Sequence, residues 1–219
     1  MATRREVLKA LGVLGAAGAS AALSPLKVFG ASNDSSGVAS FTQPLRIPPV
    51  LSPMSSTSTA DYYDMQITQT TASIIPGKST PIIGYNGMTP GPTIRARVGR
   101  QTVVNFYNGL PTTTLGGAAG NIVTHLHGGH TPSADDGFPT DFVTPGTNRT
   151  YTYPNNQLPA TLWYHDHTDM VTGPHVWYGM AGFYLLTDSV EEGLNLPSGN
   201  HEVPLVIQDR RFNSTGSLV

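Results

Sequence analysis

Four of the chain's seven histidines form two His-x-His pairs, within the stretches Thr124-His125-Leu126-His127-Gly128-Gly129-His130 and Leu162-Trp163-Tyr164-His165-Asp166-His167. Each follows apolar or β-branched residues with the character of a strand, Ile122-Val123-Thr124 before the first and Thr161-Leu162-Trp163-Tyr164 before the second. Successive side chains of a strand point to opposite faces, so the two histidines of a pair share a face, about 6.5–7 Å apart along the strand. Two such strands side by side bring four imidazoles to one patch. Imidazole ligates copper, zinc, iron and nickel, so the chemistry predicted is a site for one or more transition-metal ions.

The remaining histidines and neighbours read differently. A lone histidine is ordinarily structural or solvated. His130 lies beyond two glycines, where strand alternation no longer sets its direction; His175 follows Gly173-Pro174 in an expected loop; His201 falls in a linker. None of the three is predicted as a ligand. Asp166 sits between two histidines that share a face, so its carboxylate should point away from the metal and act as an outer or structural partner. Trp163 and Trp177 are expected to pack the core or shield the site.

The elements that must carry these residues are strands. Residues 63–69 alternate large apolar with polar side chains, the period of a half-buried strand. Further strands are expected at 82–87, 93–98, 101–108, 149–153 and 179–188, punctuated by Pro76-Gly77, Pro90-Gly91-Pro92, Gly109 and Pro154. Residues 112–120 read as a Gly/Thr loop, 131–139 as an irregular loop beside the site, and 167–174 as a connection. The pattern is that of an all-β protein, a Greek-key β-sandwich or barrel. Residues 203–209 resemble the first strand of a second domain cut short, after a polar linker that starts at Glu191.

Composition narrows the function. Charged residues make up 12% of the 219 positions and the net charge is −2, which gives no electrostatic case for a nucleic-acid partner. The chain has no cysteine, which removes disulfides, zinc–thiolate and iron–sulfur sites, a cysteine nucleophile, and the thiolate that a blue copper site needs. Residues 1–31 read as a twin-arginine signal: Thr3-Arg4-Arg5-Glu6-Val7-Leu8-Lys9, then a glycine-rich apolar run from Ala10 to Leu23 that is too short for a membrane span. The expected destination is periplasmic or secreted, with no membrane span after signal removal. Residues 32–60 carry Pro44, Pro48, Pro49 and Pro53 and read as an extended arm, with an all-β domain at 61–190 and linker plus strand at 191–219.

The runs Pro90-Gly91-Pro92-Thr93-Ile94, His125-Leu126-His127-Gly128-Gly129, Trp163-Tyr164-His165-Asp166-His167 and Gly179-Met180-Ala181-Gly182-Phe183-Tyr184 resemble the N-terminal cupredoxin domain of a multicopper oxidase, most closely the branch of spore-coat laccases and bilirubin oxidases. The likeness covers residues 62–210. It implies a cupredoxin-like fold and copper as cofactor. Four His-x-His motifs of such enzymes hold a three-copper cluster, two from the first domain and two from the last. By position, His125 resembles a type 2 copper ligand, and His127, His165 and His167 resemble ligands of the type 3 pair. The type 1 copper is expected only in the missing C-terminal domain. Asp136 lies where that branch has an acid proposed to deliver protons; as a residue before Gly137 it is equally a turn former. The activity implied is one-electron oxidation of a phenolic, pigment or metal-ion substrate coupled to four-electron reduction of O2 to water, with the reducing substrate unknown and the C-terminal cupredoxin domains as partners. Two other readings fit the residues: a non-catalytic copper-binding or carrier module, and a zinc hydrolase or lyase with three histidines and a water.

Overall fold

The computed structural model describes residues 43–219; the signal expected at 1–31 and the first part of the arm lie outside the described residues. Nine strands form among the described residues: β1 (Ser55–Ser56), β2 (Ala60–Ala72), β3 (Thr80–Tyr85), β4 (Gly91–Arg97), β5 (Gln101–Asn108), β6 (Thr124–His127), β7 (Asn148–Tyr153), β8 (Ala160–Asp166) and β9 (Ala181–Thr187). A five-stranded sheet runs β1-β2-β5-β7 with β3 on the other side of β2, and a four-stranded sheet runs β4-β9-β8-β6. The pairs β2–β5 and β4–β9 are parallel and the rest antiparallel. β4 and β5 are neighbours in sequence yet belong to different sheets, with Gly99 at φ +76° in the turn between them. The chain is thus an all-β protein of two curled sheets, as its composition and periodicity predict.

Alternation fills the space between the sheets. Met65 and Ile67 of β2, Val104 and Phe106 of β5 and Tyr151 and Tyr153 of β7 face Ile94, Leu126, Leu162, Tyr164, Tyr184 and Leu186 of the other sheet, all buried. Aromatic edges tie the layers together. Tyr85 meets Tyr164 at 4.8 Å and 80°, and Tyr153 meets Tyr184 at 5.9 Å and 81°, the edge-to-face geometry that a ring quadrupole prefers. Burial pushes the Tyr85, Tyr153 and Tyr164 phenols well above their ordinary values. They therefore stay neutral, and Tyr164 Oη donates to the Pro92 carbonyl at 2.6 Å. Gly91 and Gly182 leave room for that hydroxyl, since a Cβ at either would collide with it.

The arm is threaded rather than loose. Thr93 N–H donates to the Pro49 carbonyl and Leu51 N–H to the Thr93 carbonyl, both at 2.8 Å. Leu51 packs against the core, while Leu45 and Ile47 stay exposed. The turn before β2 is held by Arg100, whose Nε and Nη2 meet both Asp61 carboxylate oxygens at 2.6 Å while Nη2 also donates to the Thr57 and Ala60 carbonyls at 2.9 and 3.0 Å. The Arg100 hydrogen bond holds the Asp61 carboxyl below its ordinary value of 3.8. A carboxyl lowered in the folded state adds stability that is present above its unfolded value and lost as pH falls through the folded one. Arg100→Ala is expected to lower stability at pH 7, and the gap from the parent should narrow as pH drops below 3.8. Urea denaturation of both proteins at pH 7 and 3 checks this; a pH-independent gap contradicts it.

Three expectations are corrected. Residues 203–209 form no strand: none of them pairs with a neighbouring strand, Pro204 has no N–H to give a ladder, and Ile207 is 99% exposed. The connection at 167–174 becomes a helix, α1 (Thr172–Tyr178), so His175 is helical rather than in a loop. Pro174 is tolerated because it falls in the first turn, where N–H groups have no intrahelical acceptor. The linker begins as a short helical turn, α2 (Ser189–Glu192), capped by the Asp188 carboxylate, which accepts from Val190 and Glu191 N–H. Arg97 pairs with Glu192 at its end and Arg95 with Glu202 beyond it, pinning this segment to the β4 edge.

Candidate metal centre

The two histidine pairs occupy adjacent antiparallel strands, β6 at the sheet edge and β8 beside it. Thr124 and Leu126, like Leu162 and Tyr164, turn inward to the core. His125, His127 and His165 therefore emerge on the outer face, as does Trp163. The register sets His125 directly opposite His165 and His127 opposite Trp163. His167 lies just past β8, where its N–H still donates to the Val123 carbonyl at 2.8 Å, continuing the ladder. The result is a staggered patch of four rings. Centroids lie 5.1 Å apart for His125–His167, 5.4 Å for His127–His165, 5.6 Å for His125–His165 and 5.9 Å for His165–His167.

The nitrogens are arranged for ligation. His125 Nδ1 donates to the Asp136 carbonyl at 2.5 Å and His165 Nδ1 to the Asp166 carbonyl at 2.7 Å, so each ring keeps its Nε2 lone pair free. Burial pushes the His165 imidazole below its usual value, which keeps it neutral and ligating at pH 7. His127 Nδ1 lies 3.2 Å from His165 Nε2. Two nitrogens each about 2.0–2.1 Å from one ion at a tetrahedral angle are about 3.3 Å apart, so this pair is spaced to share an ion. One nitrogen from each of His125, His127 and His165 can be chosen so that all three lie within 4.8 Å of one another. His167 Nδ1 is buried without a hydrogen-bond partner. The residues present fit a metal bound by imidazoles.

The surroundings fix these rings. Trp163 stacks on His165 at 4.1 Å and 29° and on His127 at 5.0 Å and 26°, so it walls the patch, as a shielding role requires. Trp177 packs instead against the smaller core cluster of Ile75, Phe212 and Leu218, under the Arg210 guanidinium at 5.1 Å. Asp166 points inward and is fully buried. His130 is exposed and holds Gln157 through its backbone N–H at 2.6 Å. His201 is exposed in a turn, away from the patch. Sequence reasoning missed the burial of His175, because Gly173-Pro174 disguises a helix as a loop.

Loop 131–139 reaches the site through Gly137. At φ +78° this residue passes so close to β6 that a Cβ would strike the Thr124 carbonyl and the His125 Cα. The close approach brings the Asp136 carboxylate to 3.5 Å from His125 Nδ1 while leaving it 47% exposed. Gly137→Val is expected to destabilise the fold by about 1–3 kcal/mol and to withdraw both Asp136 contacts from His125. Thermal melting and the NMR shift of the His125 ring report the two effects; an unshifted ring in a folded variant contradicts the linkage.

Comparison with known proteins agrees with this architecture. A family model described as multicopper oxidase matches residues 66–191. The chain is 40% identical over 188 residues to a bilirubin oxidase of Albifimbria verrucaria, covering 82% of this chain and 32% of that protein. It is 36% identical over 203 residues to a laccase of Bacillus subtilis strain 168, covering 81% and 39% respectively. Among solved structures, a multi-copper oxidase from Pediococcus acidilactici superposes with a TM-score of 0.73 at 30% identity, over 81% of this chain and 36% of that one. The chain thus spans between 32% and 39% of the length of these relatives. Its two curled sheets are the cupredoxin fold of those structures, and the histidine patch is compatible with the copper that the family implies. With more than half of its residues matched by the family model, the chain belongs to the multicopper oxidase family.

Proposed function

We propose that this chain is the amino-terminal copper-binding part of an exported multicopper oxidase that couples one-electron oxidation of phenolic, pigment or metal-ion substrates to four-electron reduction of O2 to water. One observation carries the reading: the β6–β8 register gathers four imidazoles on the outer face of a rigid sheet, with Nδ1 of two of them already committed to carbonyls. Copper supplies reversible one-electron chemistry there, and imidazole suits both of its oxidation states. His125 holds the type 2 ion, and His127, His165 and His167 hold one side of the type 3 pair. His127 is exposed, so this side of the cage is open to a complementary set of histidines, with the cysteine-bound type 1 ion, from a C-terminal cupredoxin domain. Asp136 bridges solvent and cluster: its carboxylate, half exposed and 3.5 Å from His125 Nδ1, is placed to take a proton from water and pass it towards the ligand face. Export by the twin-arginine route fits a protein that folds around its metal first. Among the described residues no helix is long and apolar enough to cross a membrane.

A second reading, a copper carrier without turnover, is favoured by the three-nitrogen set that one chain already completes. Metal analysis and oxygen uptake on the purified chain separate the possibilities. The expected result is bound copper, no blue colour because the chain has no cysteine, and negligible O2 uptake with a phenol. Laccase-like uptake by this chain alone would overturn the half-cluster assignment. Zinc retained in preference to copper would overturn the oxidase reading altogether.

A further inference from the structure

His175 and Asp166 are both completely buried, and the histidine plays no part in the ligand patch. Burying an imidazole beside a carboxylate is expensive, and apolar residues of similar volume would pack there at less cost. Neither ring nitrogen of His175 has an aligned hydrogen-bond partner, yet Nδ1 lies 3.2 Å from Asp166 Oδ2. That carboxylate is the junction of the site. Its Oδ1 accepts from Val123 N–H at 3.2 Å and from the Thr168 hydroxyl at 2.8 Å, and its Oδ2 accepts from Thr168 N–H at 3.1 Å. Val123 stands two residues before His125, and Thr168 one residue after His167. One side chain therefore sets the separation of the two histidine segments. The backbone closes the same circuit from the helix side: Asp166 N–H donates to the Met180 carbonyl at 3.3 Å, and Met180 N–H donates to the His175 carbonyl at 3.0 Å.

We propose that His175 is a positioning residue, its Nδ1 edge holding the Asp166 carboxylate so that the carboxylate sets the spacing of His125 against His165 and His167. With Oδ2 held from below, the carboxylate cannot turn about its Cβ–Cγ bond and keeps both Val123 and Thr168. Without His175, Oδ2 keeps only the Thr168 N–H, the carboxylate shifts towards one segment at the expense of the other, and the four rings lose their common geometry. This inference rests on the copper reading above.

The contact is made by one edge of the ring, which gives a sharp test. An asparagine amide nitrogen occupies roughly the place of histidine Nδ1, and a glutamine amide nitrogen that of Nε2. Cu(II) affinity of the full chain, its Cu(II) electron paramagnetic resonance spectrum and the melting temperature of the metal-free form are measured for the parent, His175→Asn, His175→Gln and His175→Leu. The expected result is that His175→Asn binds within about threefold of the parent with the same hyperfine pattern. His175→Gln and His175→Leu should bind about ten- to a hundredfold more weakly, the range for loss of a partner behind a metal ligand, with altered spectra. Equal affinity and spectra in the Asn and Gln variants overturn the proposal. So does a loss that merely follows melting temperature, or a Gln variant that fails to fold while Asn binds normally, because either means that only packing is at stake. If the parent itself binds no copper, the copper reading fails instead, and the two failures are told apart.

Discussion

Substituting His165 or His127 by alanine is expected to lower the copper affinity of the chain by more than about a hundredfold, beyond the 10–100-fold that loss of an outer partner brings. The two rings form the tightest nitrogen pair of the patch, at 3.2 Å, and both stack on Trp163. Losing either leaves an ion with no shared edge to sit on. The effects should differ in kind. His165 is 6% exposed, so its loss also opens a hole under Trp163 and lowers the melting temperature, whereas exposed His127 should be removed with little change in stability. His201→Ala, in its distant turn, should leave both quantities unchanged. Competition with a chelator of known affinity checks all three; equal affinities across the set would rule out the patch as the binding site.

The second large effect is on the fold. Tyr164 projects from β8 on the side opposite His165, is 1% exposed, and packs its ring edge-to-face with Tyr85. Tyr164→Ala should destabilise the chain by about 3–5 kcal/mol through the cavity it leaves. Tyr164→Phe should cost only about 1–2 kcal/mol, for a Pro92 carbonyl left without its donor. Because the same strand carries core and ligands on alternate faces, the alanine variant should also lose copper, while the phenylalanine variant keeps it. Urea denaturation gives the energies; two variants within 1 kcal/mol of each other would mean that the ring does not join the sheets.

The residues explain why some of this could be read from the sequence and some could not. Period-two alternation in β2, β5 and β7, with glycine and proline between the runs, marks strands by purely local chemistry, and the same alternation puts both histidines of each pair on one face. It also sends Asp166 inward, where it is found. Pairing is not local. Nothing in residues 91–108 says that β4 joins β9 while β5, one turn later, joins β2. The apparent strand at 203–209 has the right composition but no neighbour to bond with, and a strand exists only as part of a ladder. The helix over residues 172–178 hides behind Gly173-Pro174, and with it the burial of His175. Asp136 stands out in the sequence only through the family resemblance. What brings it to His125 is the one conformation at Gly137 that lets the loop touch β6.

The most direct measurement is diffraction from crystals of the copper-loaded chain, recorded on either side of the copper absorption edge. The account expects anomalous peaks within about 2.0–2.1 Å of ring nitrogens on the outer face of β6 and β8, shared among His125, His127, His165 and His167. Copper located elsewhere on the chain, with those four rings bonded only to protein and water, would contradict it.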